Sequence, residues 1–198
     1  MTFNPDTRAS LLLRIRDPRD EQAWATFLEV YQPLIQRLAR GRGLQDADAN
    51  ELTQEVLIAV AGAIDRWNPD KSRGTFRGWL ATVTRNLLVN HLDKQRRQPR
   101  GSGDTDVAQW LHAQPAPVDE TGDWFNLEYK RQIFRWAAER VRGDFQSSTW
   151  QAFWMTCVDG TPIPQAAAEL GLTAGAVYVA RSRVMARLRE RIQEFEGE

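Results

Sequence analysis

Apolar residues recur at intervals of three and four along almost the whole chain, and this spacing is the strongest constraint on its fold. It is the period at which an α-helix presents one face to a core. Residues 24–39 and 52–67 both follow it. No segment shows the alternation typical of a β-strand, and no internal repeat is evident. The sequence therefore predicts an all-α protein.

Helix boundaries are predicted from capping residues and helix breakers. Pro33 is expected to kink or restart the first long helix, because proline lacks the N–H that an inner turn requires. Asp48 or Asn50 is predicted to cap the second helix, and Thr75 the third.

Composition changes abruptly after residue 98. Residues 98–123 contain three prolines and three glycines, and residues 101–128 carry six acids without a Lys or Arg. Such turn-forming, acidic stretches are typical of linkers. We predict two small helical domains, 1–98 and 124–198, joined by an acidic flexible linker over 99–123.

The formal net charge is zero, from 26 basic and 26 acidic residues, but the charges are segregated. Residues 43–65 hold five acids and no base, whereas residues 72–100 hold seven bases and one acid. Residues 173–191 hold five bases and one acid. This alternation suggests separate surfaces for separate partners, two of them suited to phosphate. Ordinary solvated helix faces remain the alternative for any single block.

Residues 164–177 have the pattern of a helix-turn-helix, the motif predicted for the C-terminal domain. Ala167 allows close helix approach, Gly171 suits a sharp turn with positive φ, and Thr173 can cap the second helix. An ordinary helical hairpin is the alternative on this pattern alone. The candidate DNA-contacting residues are Thr173, Ala174, Gly175, Ala176, Tyr178, Arg181, Ser182 and Arg183.

A second candidate nucleic-acid surface lies in the first half of the chain, where aromatic residues alternate with bases and amides. Aromatic rings stack on unpaired bases, and arginines follow the backbone. Phe76 and Trp79 are more simply interpreted as core residues. The candidates are Trp67, Arg73, Arg77, Arg85, Asn86, Asn90, Arg96 and Arg97.

Several classes of protein are excluded by composition. The single cysteine, Cys157, is predicted to be a core residue, and it rules out a disulfide framework or a Cys-rich zinc site. His91 and His112 stand in separate segments, so we expect no metal, no cofactor and no enzyme activity. No apolar run reaches the ~20 residues of a membrane span. Residues 1–10 lack the features of a signal peptide, so a cytoplasmic location without membrane insertion is expected.

Three motifs, in order, resemble those of the extracytoplasmic-function (ECF) sigma factors of bacterial RNA polymerase. The first is NELTQEVL at residues 50–57, which is similar to region 2.2. The second is GTFRGWL at residues 74–80 with TRN at 84–86, which is similar to regions 2.3 and 2.4. The third joins DGTPI at 159–163 to RSRVMARL at 181–188, which is similar to region 4.2. The resemblance covers roughly residues 20–195.

The resemblance implies a protein that binds the β′ and β subunits of RNA polymerase core. It also implies that the protein directs promoter recognition, DNA melting and transcription initiation. It implies contact with core polymerase by Glu51, Leu52, Gln54 and Glu55. The loop at 67–75 would receive a flipped base of the −10 element, with Asn86 helping to hold it. Residues 173–183 would read the −35 element. A stand-alone helix-turn-helix regulator is the alternative, and the existence of an anti-sigma partner is left open.

Overall fold

The computed structural model describes residues 7–67, 75–96 and 121–196. Within these ranges all regular elements are helices and no strand is found, so the predicted all-α class is confirmed. In chain order the α-helices are α1 (Ala9–Arg14), α2 (Glu21–Gly41), α3 (Asp46–Ala63), α4 (Phe76–Arg96), α5 (Thr121–Val141), α6 (Ser147–Cys157), α7 (Ile163–Leu170) and α8 (Ala174–Glu196), with a 3-10 turn at Arg142–Asp144.

The described residues divide into two compact units. The first comprises everything up to Gln132 together with Glu196, and the second comprises Ile133–Phe195. The predicted linker over 99–123 lies largely outside the described residues, and α5 begins within its last three positions.

The first unit is built on the packing of α2 against α3 and of α3 against α4. Three aromatic rings form its centre: Phe27 stacks on Tyr31 with centroids 4.5 Å apart, and Phe76 meets both edge-on at 5.9 Å. All three side chains are fully buried, and Trp79 is nearly so. The core interpretation of Phe76 and Trp79 is thus confirmed.

Pro33 does not interrupt α2, which runs unbroken from Glu21 to Gly41. The predicted restart is therefore wrong. A proline removes the bond to the carbonyl four residues earlier, here that of Glu29. The side chain of Gln132 supplies the missing donor, since its Nε2 lies 3.2 Å from the Glu29 carbonyl oxygen. A contact distant in sequence thus compensates for the local defect.

The helix starts agree with the sequence in part. Thr75 caps α4 as predicted, because its Oγ1 accepts a hydrogen bond from the Gly78 N–H at 3.0 Å. The prediction of Asp48 or Asn50 as the cap of α3 is wrong, because the helix begins earlier, at Asp46. Asp46 and Asp48 both fall in the first turn, where carboxylates interact favourably with the helix dipole.

The second unit centres on small residues that bring α6, α7 and α8 together. Its buried cluster consists of Ala152, Ala167, Val177 and Ala180, and Ile163, Leu170 and Leu172 pack around it. Gly171 adopts φ +63, the left-handed conformation predicted for the turn. No helix in the described part of the chain is long and apolar enough to cross a membrane.

Candidate functional site

The outer face of α3 carries the acidic residues predicted to contact a polymerase. Glu51 and Gln54 are exposed, and Glu55 is partly exposed. Glu55 is held by a neighbouring helix, since its Oε2 lies 3.1 Å from Nε2 of His91 on α4. Nothing in the sequence pattern indicated that His91 would be the partner. The result is an acidic surface with one exposed carboxylate, Glu51, and one carboxylate held by a hydrogen bond, Glu55.

Leu52 differs from the other three predicted polymerase contacts. Its side chain is completely buried in the first unit. It therefore packs between helices and is not available to a partner in this conformation. A leucine one position from an exposed glutamate points about 100° away on a helix, toward the core.

The predicted single-strand surface is partly assembled around α4. Arg85 is exposed, whereas Asn86 and Asn90 are half-buried on the same helix. Trp67 is half-buried and meets Phe76 edge-on, with centroids 5.5 Å apart. Nη2 of Arg16 donates to the Trp67 carbonyl oxygen at 2.6 Å. Trp67 is thus held both by a ring contact and by a hydrogen bond to its backbone.

Arg77 is buried, unlike Arg85 on the same helix. Only 4% of it is accessible, and its guanidinium lies over the Tyr129 ring, 4.4 Å from the centroid. Its Nη1 lies 3.9 Å from Oε1 of Glu196, another buried group. Burial raises the pKa of Tyr129, so the ring stays neutral and offers its π face to the cation. Arg77 is therefore a packing residue of the first unit in this conformation and not an exposed phosphate ligand. Arg73, Arg97 and the side chain of Arg96 lie outside the described residues.

The start of α8 presents the predicted cap and small residues at the surface. Oγ1 of Thr173 accepts a hydrogen bond from the Ala176 N–H at 3.1 Å, so the predicted cap is confirmed. Ala174, Gly175 and Ala176 are all exposed. The backbone of the first turn of α8 is therefore accessible to a partner.

The two predicted arginines of α8 point to different sides of the helix. Residues two apart are separated by about 200° on an α-helix. Arg181 is half-buried and its Nε donates to the Cys157 Sγ at 3.2 Å, whereas Arg183 is exposed. Tyr178 and Ser182 are exposed and line a groove with Arg181. Of the arginine pair, Arg183 is the one presented outward.

Cys157 is exposed at the end of α6, so its prediction as a core residue is wrong. The helix ends at this residue, and the face that buries Trp150 and Phe153 does not extend to it. Arg181 of α8, 24 residues further along the chain, donates from its Nε to this thiol.

Val179 is a residue that the sequence interpretation missed. It is 57% exposed on α8, while its neighbours two residues away, Val177 and Arg181, turn inward. The sequence did contain a signal for this exposure. Val177 already occupies the core face of the helix, so a second valine two residues later has to lie on another face.

Groups of three or more His, Cys, Asp or Glu side chains that could bind a metal ion are absent from the described ranges. The described residues present three surface features: an acidic face on α3, an aromatic and amide-bearing region near Trp67 and α4, and an exposed first turn on α8.

Comparison with known proteins shows what the chain is similar to. Residues 27–98, which contain α3, α4 and most of α2, match the family model described as Sigma-70 region 2. The chain is 23% identical to RNA polymerase sigma factor CnrH of Cupriavidus metallidurans, covering 94% of this chain and 95% of that protein. It is 25% identical to RNA polymerase sigma factor NccH of Alcaligenes xylosoxydans xylosoxydans, covering 88% and 89%.

A shorter match is to a relative whose name includes the ECF family. Over 44% of this chain and 48% of the relative, the chain is 30% identical to ECF RNA polymerase sigma factor RpoE of Cereibacter sphaeroides. The chain is thus similar over nearly its whole length to proteins named as RNA polymerase sigma factors, and over part of its length to one named as an ECF sigma factor.

Proposed function

We propose that this chain directs bacterial RNA polymerase core to promoters, melts the −10 element and leaves phosphodiester chemistry to the polymerase. The observation that carries the proposal is the order of parts in one chain. A match to Sigma-70 region 2 over residues 27–98 is followed by the helix pair α7 and α8, whose turn and first exposed residues suit a helix-turn-helix. Relatives named as sigma factors span nearly the whole chain.

The acidic face of α3 is the proposed contact with the β′ subunit of core polymerase. Glu51 and Gln54 are exposed for it, and Glu55 is held at its edge by His91. Residues 43–65 contain five acids and no Lys or Arg, so the field of this helix favours a basic partner. Leu52 supports the surface from beneath.

The region of Trp67 and α4 is the proposed holder of the melted −10 strand. Extruding a base from a duplex costs a few kcal/mol, which the protein must offset by stacking and hydrogen bonds. Trp67 supplies an aromatic ring, Asn86 and Asn90 supply amides, and exposed Arg85 supplies charge. Arg73, Arg96 and Arg97 belong to the same proposal from their sequence positions alone.

The helix pair of the second unit is the proposed reader of the −35 element, with α8 as recognition helix. Its small first residues, Ala174 to Ala176, would let the backbone approach the base edges of a major groove. Arg183 would contact phosphate. The acidic stretch over 99–123 is proposed to join the two DNA-binding parts and to thread toward the RNA exit path. The protein would act in the cytoplasm, with core polymerase as its partner there.

In vitro transcription tests the proposal directly. Core polymerase is incubated with the full chain on a library of genomic fragments, and the transcripts are mapped. Discrete start sites that need both core and this protein are expected, and they should disappear with the double variant Glu51→Lys, Glu55→Lys. Tight duplex binding without core, together with no association with core, would instead favour a stand-alone helix-turn-helix regulator.

A further inference from the structure

We propose that Val179 is a specificity-determining residue that recognises the C5-methyl group of a thymine in the duplex read by α8. The inference rests on the proposed function of α8 as a recognition helix. It adds a residue and a chemical preference that the charged and polar side chains of this helix do not provide.

Val179 is an exposed valine on α8. More than half of its surface, 57%, is accessible, although the same helix buries Val177 completely. The two methyl groups of an exposed valine make no favourable contact with water. Burying them against a partner would be favourable by about 0.8 kcal/mol for each methyl-sized group.

Val179 also shares its face of α8 with two other exposed residues. Ala176 is three residues before it and Arg183 is four residues after it, so the three share one side of α8. All three are exposed. Ala176 is small enough to let the helix approach a groove closely, and Arg183 can hold a phosphate at the groove edge. Val179 thus lies between Ala176, which allows close approach to the groove, and Arg183, which can bind a phosphate.

The chemistry of the partner must suit an exposed apolar side chain. In the major groove, the methyl of thymine is the apolar group that distinguishes a T·A pair from the others. The first turn of α8 offers a groove only the small residues Ala174, Gly175 and Ala176, and the exposed hydroxyl nearest to Val179 is that of Tyr178. An apolar contact by Val179 therefore adds a kind of discrimination that the Tyr178 hydroxyl does not supply.

Val158 provides a matched control. It is also an exposed valine of the second unit, with 43% of its surface accessible, but it lies at the end of α6 and not on α8. Val179→Ser and Val158→Ser make the same chemical change on two exposed sites, and neither removes a buried group. Circular dichroism should be unchanged for both.

The experiment begins with selection of duplexes from a random library by core polymerase bearing the full chain. The wild-type protein should enrich a thymine at one position of the −35 element. Val179→Ser should lose that enrichment, whereas Val158→Ser should retain it. Deoxyuridine, which differs from thymidine only in lacking the methyl group, is then placed at that position. Wild type should bind the deoxyuridine duplex about fourfold less tightly, the ratio that corresponds to ~0.8 kcal/mol. Val179→Ser should bind both duplexes equally.

Failure of the role of Val179 and failure of the reading function of α8 give different experimental results. If a sequence is selected but wild type binds the thymidine and deoxyuridine duplexes equally at every position, the role of Val179 is overturned and the proposed function stands. If Val179→Ser selects the same sequence as wild type, the role is likewise overturned. If no duplex sequence is selected at all, the proposed reading function of α8 fails, and the inference fails with it.

Discussion

His91 of α4 lies within hydrogen-bonding distance of Glu55 of α3, with Nε2 3.1 Å from Oε2. The pair joins the helix that we propose to contact polymerase to the helix that we propose to hold the −10 strand. Glu51, one turn earlier on α3, is exposed. Two glutamates that look equivalent in the sequence therefore have different structural surroundings.

Glu51→Lys should consequently change only the association with polymerase, whereas Glu55→Lys should change both association and stability. Glu51→Lys should weaken association with core polymerase by roughly tenfold without changing the free energy of unfolding, because an exposed charge is reversed. Glu55→Lys should weaken association and also lower the unfolding free energy by about 1 kcal/mol, since a hydrogen bond between helices is lost. Fluorescence anisotropy with core and urea denaturation measure the two effects. Glu21→Lys, on α2, is the charge-matched control, and unchanged association of the Glu51 variant would contradict the docking surface.

Arg183 and Arg181 should also prove unequal. Arg183→Ala should lower affinity for a selected −35 duplex and reduce the slope of log affinity against log salt by about 1, as loss of a phosphate contact does. Arg181→Ala should change the slope less, because its guanidinium turns toward Cys157. Titrations of duplex between low and moderate salt measure both slopes. A larger change of slope for Arg181 than for Arg183 would show that the helix presents its other side to DNA.

Features set by local backbone chemistry could be predicted from the sequence. Thr75 and Thr173 cap their helices, and Gly171 takes a positive φ, because each depends only on residues within three or four positions. The all-α class followed from apolar spacing for the same reason.

Features that depend on distant partners could not be predicted. Arg77 is buried because a tyrosine 52 positions later offers its ring, and Pro33 is accommodated because Gln132 reaches the Glu29 carbonyl. Arg181 turns inward, where its Nε donates to the Cys157 Sγ of another helix. A single sequence gives the residue types in each case but not which tertiary partner each side chain meets.

Gly171 allows a direct test of the turn between α7 and α8. Gly171→Ala should lower the unfolding free energy of the protein by about 1–2 kcal/mol, because a Cβ is unfavourable at φ +63 although there is open space around it. Gly175→Ala is the matched control: its Cβ would meet only Thr173 Oγ1 at 3.9 Å, and alanine favours a helix over glycine. Urea denaturation should therefore show the two variants moving in opposite directions. Equal destabilisation would argue against a strained turn.

Glu128 gives the first unit a specific acid sensitivity. Burial acts to raise the pKa of Glu128, but hydrogen bonds from Arg37 and Arg131 outweigh it and hold the pKa below its ordinary value of 4.5. A carboxylate with a depressed folded-state pKa stabilises the fold fully above its unfolded pKa, and this contribution is lost as pH falls through the folded value. The stability difference between wild type and Glu128→Gln should thus be constant near neutral pH and shrink below about pH 4.5. Urea midpoints measured from pH 7 to pH 3 test this.

The variant Arg37→Met identifies the cause of that sensitivity. Arg37 Nε donates to Glu128 Oε1 at 2.8 Å, and Nη2 of the same guanidinium donates to the Gln132 side chain. Without the guanidinium, burial acts on Glu128 with only Arg131 opposing it. The pH-dependent part of the stability change caused by Glu128→Gln should therefore be smaller in the Arg37→Met protein than in wild type. If it remains as large in Arg37→Met, Arg37 is not the group that depresses the pKa of Glu128.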